Sequence, residues 1–246
     1  MKEKMKITRI NSPCFSKRTR KPSKIKFIVI HYTGMQSKRV SIKRLISKKN
    51  KVSCHYLIDR AGKIIQMVDE NKIAWHAGKS KWKNFINLNN SSLGIELVNR
   101  GHRWGYQSFS KEQINQLVRL THNLKRKYKI KRSNILGHSD ISPLRKNDPG
   151  EKFPWLKLQK KGLGIWYKIK KKYQVKKKLN NQKIRNKFFQ NLHKFGYRYF
   201  SKKNPKKTDK LIVKSFQSRF RQSKINGLID LECLKISQNL ARNSKI

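Results

Sequence analysis

The chain has 246 residues and a formal charge of +51, from 63 Lys and Arg against 12 Asp and Glu. That length suits one domain of ordinary size plus a smaller one. No run approaches the roughly 20 apolar residues that span a bilayer, and three cysteines, Cys14, Cys54 and Cys233, without metal-ligand spacing give no disulfide framework. The cation excess points to an acidic partner or to compositional drift, because it is mostly Lys spread evenly among many Asn and Ile, as an AT-rich genome would produce. Both readings stay open. A specific nucleic-acid partner is not expected, whereas non-specific polyanion binding is compatible with the charge.

In chain order, residues 1–24 are basic, contain Pro13 and Pro22, and read as an irregular arm. Residues 25–30 read as a buried strand that delivers His31. Residues 41–49 suit a short helix, with Ile42, Leu45 and Ile46 on one face. Residues 55–59 and 63–68 flank Arg60-Ala61-Gly62 and predict a hairpin. Trp75, His76 and Trp82, with Ala77 and Gly78 between them, suit a groove that stacks on sugar or peptide; ordinary core packing is the bland alternative. Residues 92–98 form another strand. Within it Glu96 lies between apolar neighbours, which is costly unless the carboxylate is salt-bridged or serves a site.

Ser110 and Gln113 form a capping box. The helix they open carries Ile114, Leu117, Val118, Thr121, Leu124 and Tyr128 on one stripe, with His122 off it. Strands, crossing helices and a hairpin predict an α/β architecture, a mixed central β-sheet flanked by helices. Residues 151–167 read as an aromatic closing segment and 168–183 as a basic linker. From Ile184 to residue 241 three short helices are expected. The first stops at Gly196, Thr208-Asp209 caps the second, and Asp230 caps the third. This bundle has no ionisable cluster and suits binding better than catalysis.

The chemistry gathers in residues 137–150, where His138, Asp140, Arg145, Lys146 and Asp148 lie between Gly137 and Pro149-Gly150. Gly and Pro fix turns, so these groups are held in place. Two histidines at strand ends, His31 and His138, plus Asp148 make the three protein ligands of a catalytic zinc site with a position left for water. The competing reading is a pair of hydrogen-bonded rim histidines and an ordinary Asp-Pro-Gly turn.

Six motifs in order then carry a resemblance. They are Ile30-His31-Tyr32-Thr33, residues 52–58, Ala74-Trp75-His76-Ala77-Gly78, Leu93-Gly94-Ile95-Glu96-Leu97, the loop from His138 to Gly150, and Phe153-Pro154-Trp155. Residues 25–167 resemble the zinc-dependent N-acetylmuramoyl-L-alanine amidases of the type 2 (AmpD/AmiD-like) family. Residues 184–241 resemble, more weakly, the three-helix peptidoglycan-binding module of its two-domain members.

The resemblance implies one Zn2+ per chain on His31, His138 and Asp148. It makes Glu96 the group that activates water and Lys146 the cation beside the oxyanion. Trp75, His76, Trp82, His55 and Arg145 become candidate substrate-binding residues, and the substrate is peptidoglycan or a muropeptide cut between N-acetylmuramic acid and L-alanine. A relative of the phage-lysozyme branch would carry a catalytic Tyr where Cys54 stands, which favours the branch that relies on Glu96. A monomer is expected. Neither a signal-peptide core nor a lipobox is visible, which reads as cytoplasmic, while the family reads as envelope, so the compartment stays open. The rival reading is a catalytically silent peptidoglycan- or polyanion-binding protein.

Overall fold

The computed structural model describes residues 5–168, 181–201 and 206–243. Among these, the strands are β1 (Ile7–Arg9), β2 (Phe15–Thr19), β3 (Phe27–Tyr32), β4 (Tyr56–Ile58), β5 (Ile64–Gln66), β6 (Lys72–Ala74), β7 (Lys81–Trp82), β8 (Phe85–Ile86), β9 (Ser92–Leu97) and β10 (Ile135–Gly137). The helices are α1 (Lys38–Ile46), α2 (Lys111–Lys127), α3 (His138–Ile141), α4 (Trp155–Lys160), α5 (Asn181–Phe195), α6 (Asp209–Phe220) and α7 (Leu231–Arg242).

Six strands build one mixed sheet in the order β1-β5-β4-β9-β3-β10. The expected hairpin is β4 and β5, which run antiparallel, while β4, β9, β3 and β10 run parallel. The central strands β3 and β9 are covered on both faces, which explains their near-continuous apolar runs. Successive side chains alternate between those faces. Ile28, Ile30, Leu93, Ile95 and Leu97 share one apolar cluster with Ile114, Leu117, Leu120 and Leu124 of α2. Phe27, Val29 and Leu136 belong to another cluster, with Phe188, Leu192, Phe216, Phe220 and Ile236 of the C-terminal helices. Those helices therefore form the third layer of the sheet.

Local chemistry sets the helix ends. Ser110 accepts the Gln113 backbone N–H at the start of α2, as its sequence predicts. The Gln113 side chain does not close the box; it donates to the carbonyls of Ile58 and Val98 and ties α2 to β4 and β9. Helix α1 starts earlier than the apolar spacing suggests, because Ser37 caps it. Asp230 caps α7 through the Cys233 N–H. Thr208 precedes α6 as expected but makes no side-chain cap.

The arm expected to be irregular is instead part of the fold. Strand β1 pairs with β5 and β2 with β6, and Arg20 is buried, donating to the carbonyls of Asn89 and Ser92. Most of the expected linker, residues 169–180, lies outside the described residues. No helix among the described residues is long and apolar enough to cross a membrane.

Candidate metal centre and active site

The site lies outside the carboxyl ends of parallel strands, the usual crevice of an open α/β sheet. His31 is the fifth residue of β3, Glu96 the fifth of β9, and His138 follows β10 directly. His31 and Glu96 are register partners, so they sit side by side on one face. Alternation along β9 then puts Ser92 and Gly94 on the face of Glu96, opposite Leu93, Ile95 and Leu97. Asp148 reaches the site on the loop after α3, held by the Ser139 N–H to its carbonyl at 2.8 Å.

Three ligand atoms converge. His31 Nδ1 and His138 Nδ1 are 2.9 Å apart, and each is 3.0 Å from Asp148 Oδ2. All three side chains are buried. Zinc with bonds of about 2.0–2.2 Å in a tetrahedron needs ligand atoms about 3.3–3.5 Å apart. The triangle therefore needs only a few tenths of an ångström of widening, and two imidazoles with one carboxylate fit that ion's donor preferences.

A directed hydrogen-bond chain fixes the tautomers. Ser92 donates to the Leu88 carbonyl at 2.6 Å and accepts from His76 Nε2 at 3.1 Å. His76 Nδ1 in turn accepts from His31 Nε2 at 3.0 Å, which leaves His31 Nδ1 with its lone pair free. His138 Nε2 donates to the Ala77 carbonyl at 3.1 Å, with the same consequence for its Nδ1. Gly94 makes room for this chain: a Cβ there would lie 2.4 Å from the His76 ring.

Electrostatics match. Burial, and then the neighbouring His138, lower the His31 pKa to about 4, so its imidazole is neutral at pH 7 as a ligand must be. Burial raises the Asp148 carboxyl, but a proton on either imidazole Nδ1 outweighs it: His138 and His31 then hold the carboxyl well below the usual carboxylate range through charge and hydrogen bonds. Burial first, and Asp148 second, raise Glu96 to about 8, with Lys146 opposing. Glu96 Oε2 is buried without a partner, which the strand of apolar neighbours made costly from the outset. Glu96, Lys146, His76, His138, Arg145 and Asp148 line one cavity of about 320 Å3.

Of the expected substrate contacts, His76 and Arg145 reach this cavity. The Arg145 guanidinium also bridges to the Ala77 and Lys79 carbonyls, clamping two loops together. Trp75, His55 and Trp82 do not line it. Trp75 donates its Nε1 to Ser16 Oγ at 3.1 Å. His55 is fully buried, accepts the Gly94 N–H on Nδ1 and meets Arg20 on its other side. Trp82 is 1% exposed, its ring 5.1 Å from that of Tyr197, and it serves the core beneath the C-terminal helices. Sequence reasoning passed over Tyr32, Arg44, His102 and Arg103, which also line the cavity. It passed over Ser92 as well, although small or polar residues at every second position of β9 were its signal.

A family model for N-acetylmuramoyl-L-alanine amidase matches residues 21–151, which hold every group of the metal triangle and Glu96. The chain belongs to the N-acetylmuramoyl-L-alanine amidase family. Within it, the amidase AmiD of Escherichia coli (strain K12) is 34% identical over 231 residues, 88% of this chain and 82% of that protein. The 1,6-anhydro-N-acetylmuramyl-L-alanine amidase AmpD of Haemophilus influenzae is 35% identical over 164 residues, 59% of this chain and 86% of that protein. The structure of E. coli AmiD in complex with the substrate anhydro-N-acetylmuramic acid-L-Ala-D-gamma-Glu-L-Lys superposes with a TM-score of 0.79 at 30% identity, covering 92% of this chain and 91% of that one. That superposition extends into the layer of C-terminal helices.

Proposed function

We propose that this protein is a zinc-dependent N-acetylmuramoyl-L-alanine amidase that hydrolyses the amide between the lactyl group of N-acetylmuramic acid, or its anhydro form, and L-alanine in peptidoglycan turnover. The triangle of His31, His138 and Asp148 with Glu96 beside it is the observation that carries this reading. Zinc, when bound, supplies Lewis acidity toward the scissile carbonyl and the attacking water.

The chain's own residues do the rest. His31 and His138 offer Nδ1 lone pairs, and Asp148 offsets part of the ion's charge. Glu96 takes the proton of the attacking water and returns it to the leaving amine of L-alanine. Burial makes Glu96 a stronger base than an exposed carboxylate, and the positive charge of a bound zinc would favour the ionised form that accepts the proton. Lys146, on the same cavity wall, offsets charge developing on the carbonyl oxygen. Products are a free stem peptide and a muramic acid carboxylate.

The AmiD complex, with its anhydromuramoyl peptide, supports a muropeptide as substrate. The site is complete within one chain, which supports a monomer. The module of residues 184–241 contributes wall affinity, and the +51 charge adds non-specific attraction to anionic polymers.

The test is release of stem peptides from purified sacculi and from soluble anhydromuropeptides, with chelator and then with zinc. Chelator-sensitive release that zinc restores is the expected result. No release from either substrate by zinc-loaded protein would overturn the reading in favour of a silent binding protein.

A further inference from the structure

The residues on either side of His138 are pinned by groups from the C-terminal helices. Asp140, in α3, accepts the Gly137 N–H on Oδ2 at 2.7 Å. The same oxygen receives Arg219 of α6, and Oδ1 accepts the Tyr197 hydroxyl at 2.5 Å. Asp140 and Arg219 are almost fully buried, 1% and 2% exposed at the side chain. On the other flank, the Ser139 carbonyl accepts Ser215 Oγ of α6 at 2.7 Å, while the Ser139 N–H holds the Asp148 carbonyl. The Arg219 guanidinium also donates to the Ile135 carbonyl of β10 at 3.3 Å and lies 4.1 Å over the Trp155 ring.

We propose that Asp140, Arg219 and Tyr197 form a positioning cluster through which the docked C-terminal helices hold the His138 segment in metal-binding geometry. This rests on the reading of His31, His138 and Asp148 as the metal site. None of the three touches the ligand atoms; they act through the backbone of Ile135 and Gly137, which leads directly into His138. A planar guanidinium delivers several donors in fixed directions, so Arg219 joins β10, α3 and α4 at once, which a point-charge ammonium does not do as well. Tyr197 closes the other carboxylate oxygen. The helical layer is then a structural half of the metal centre as well as a wall-binding element. Losing a group that bonds a ligand directly costs typically 10–100-fold in metal affinity, and this cluster, one step removed, belongs at the low end of that range.

The experiment compares Tyr197→Phe, Arg219→Lys and Arg219→Met with the wild-type full chain. Zinc affinity is read by competition with a chromophoric chelator well below each melting temperature. Melting of the metal-free proteins and kcat and KM on a soluble anhydromuropeptide are read alongside. Tyr197→Phe, which removes one hydroxyl and no ring contact, is expected to weaken zinc binding about tenfold while leaving the metal-free Tm nearly unchanged. Arg219→Met is expected to weaken it further, with Arg219→Lys between the two, and kcat at limiting zinc is expected to fall with KM steady. Zinc affinity within twofold of wild type in Tyr197→Phe, and in whichever Arg219 variant folds, would overturn the proposal and leave the amidase reading intact. Absence of zinc binding in the wild type would overturn both.

Discussion

The two faces of strand β9 differ as sharply as any two regions of the molecule. Leu93, Ile95 and Leu97 point at α2 and are wholly apolar and buried. Ser92, Gly94 and Glu96 point the other way, and each has a task at the site: a hydrogen-bond terminus, space for His76, and a buried carboxylate. The same alternation runs through β3, where Ile28 and Ile30 belong to the α2 layer while Phe27, Val29 and His31 face the other side. A period of two lets one strand carry packing and chemistry without compromise between them. It also means that the catalytic face can afford polar groups only because the α2 face supplies much of the burial.

Substitutions on adjacent residues separate the two faces. The largest effect is expected from Glu96→Gln: kcat on a muropeptide falls 10²–10⁴-fold, the usual worth of general base catalysis, while metal analysis still finds zinc. A loss of no more than tenfold would remove Glu96 from its role. One residue earlier, Ile95→Ala deletes buried aliphatic carbons opposite the site. It is expected to cost about 2–5 kcal/mol of stability in denaturant unfolding, with kcat of the folded, zinc-loaded enzyme close to wild type. An Ile95→Ala enzyme that stayed stable but lost turnover would break the division between the faces.

How much of this was legible follows from how local each feature is. His31, Glu96, His138 and Asp148 stand out because each sits at a strand end or in a Gly- and Pro-bounded loop, and the strands themselves show in unbroken apolar runs. The capping residues Ser110 and Asp230 are legible for the same reason. Strands β1 and β2 are not: they are three and five residues long, largely exposed, and their partners lie more than 50 residues away. Trp82 shows the limit of spacing arguments. Beside His76 it suits a substrate groove, yet Gly196, a chain-distant residue, packs so close to its ring that a Cβ there would lie 2.3 Å from it. The union of the C-terminal helices with the sheet depends on such distant pairs, Asp140 with Arg219 above all. In sequence, Phe188, Phe216 and Phe220 only announce an apolar face, not what covers it.

The smallest predicted effect concerns protons and sharpens the comparison at a single residue. In the chelated protein Glu96 titrates near pH 8, whereas an unfolded Glu titrates near 4.5. Between those values the native state holds a proton that the unfolded state has released, so stability from this group falls as pH rises. His31 works in the opposite direction. Its native pKa near 4 lies below the ordinary 6.5, so the unfolded chain binds the extra proton and stability rises with pH over that interval. A single stability curve would mix the two. The difference between wild type and Glu96→Gln isolates the carboxylate, because the amide keeps shape and burial without a titration. With chelator present, Glu96→Gln is expected to match wild type near pH 5 and to exceed it by about 1–3 kcal/mol near pH 8, read from urea midpoints. A constant offset across that range would mean that Glu96 is ionised in the native state throughout, and the buried, proton-holding carboxyl assigned to the catalytic face would have to be given up.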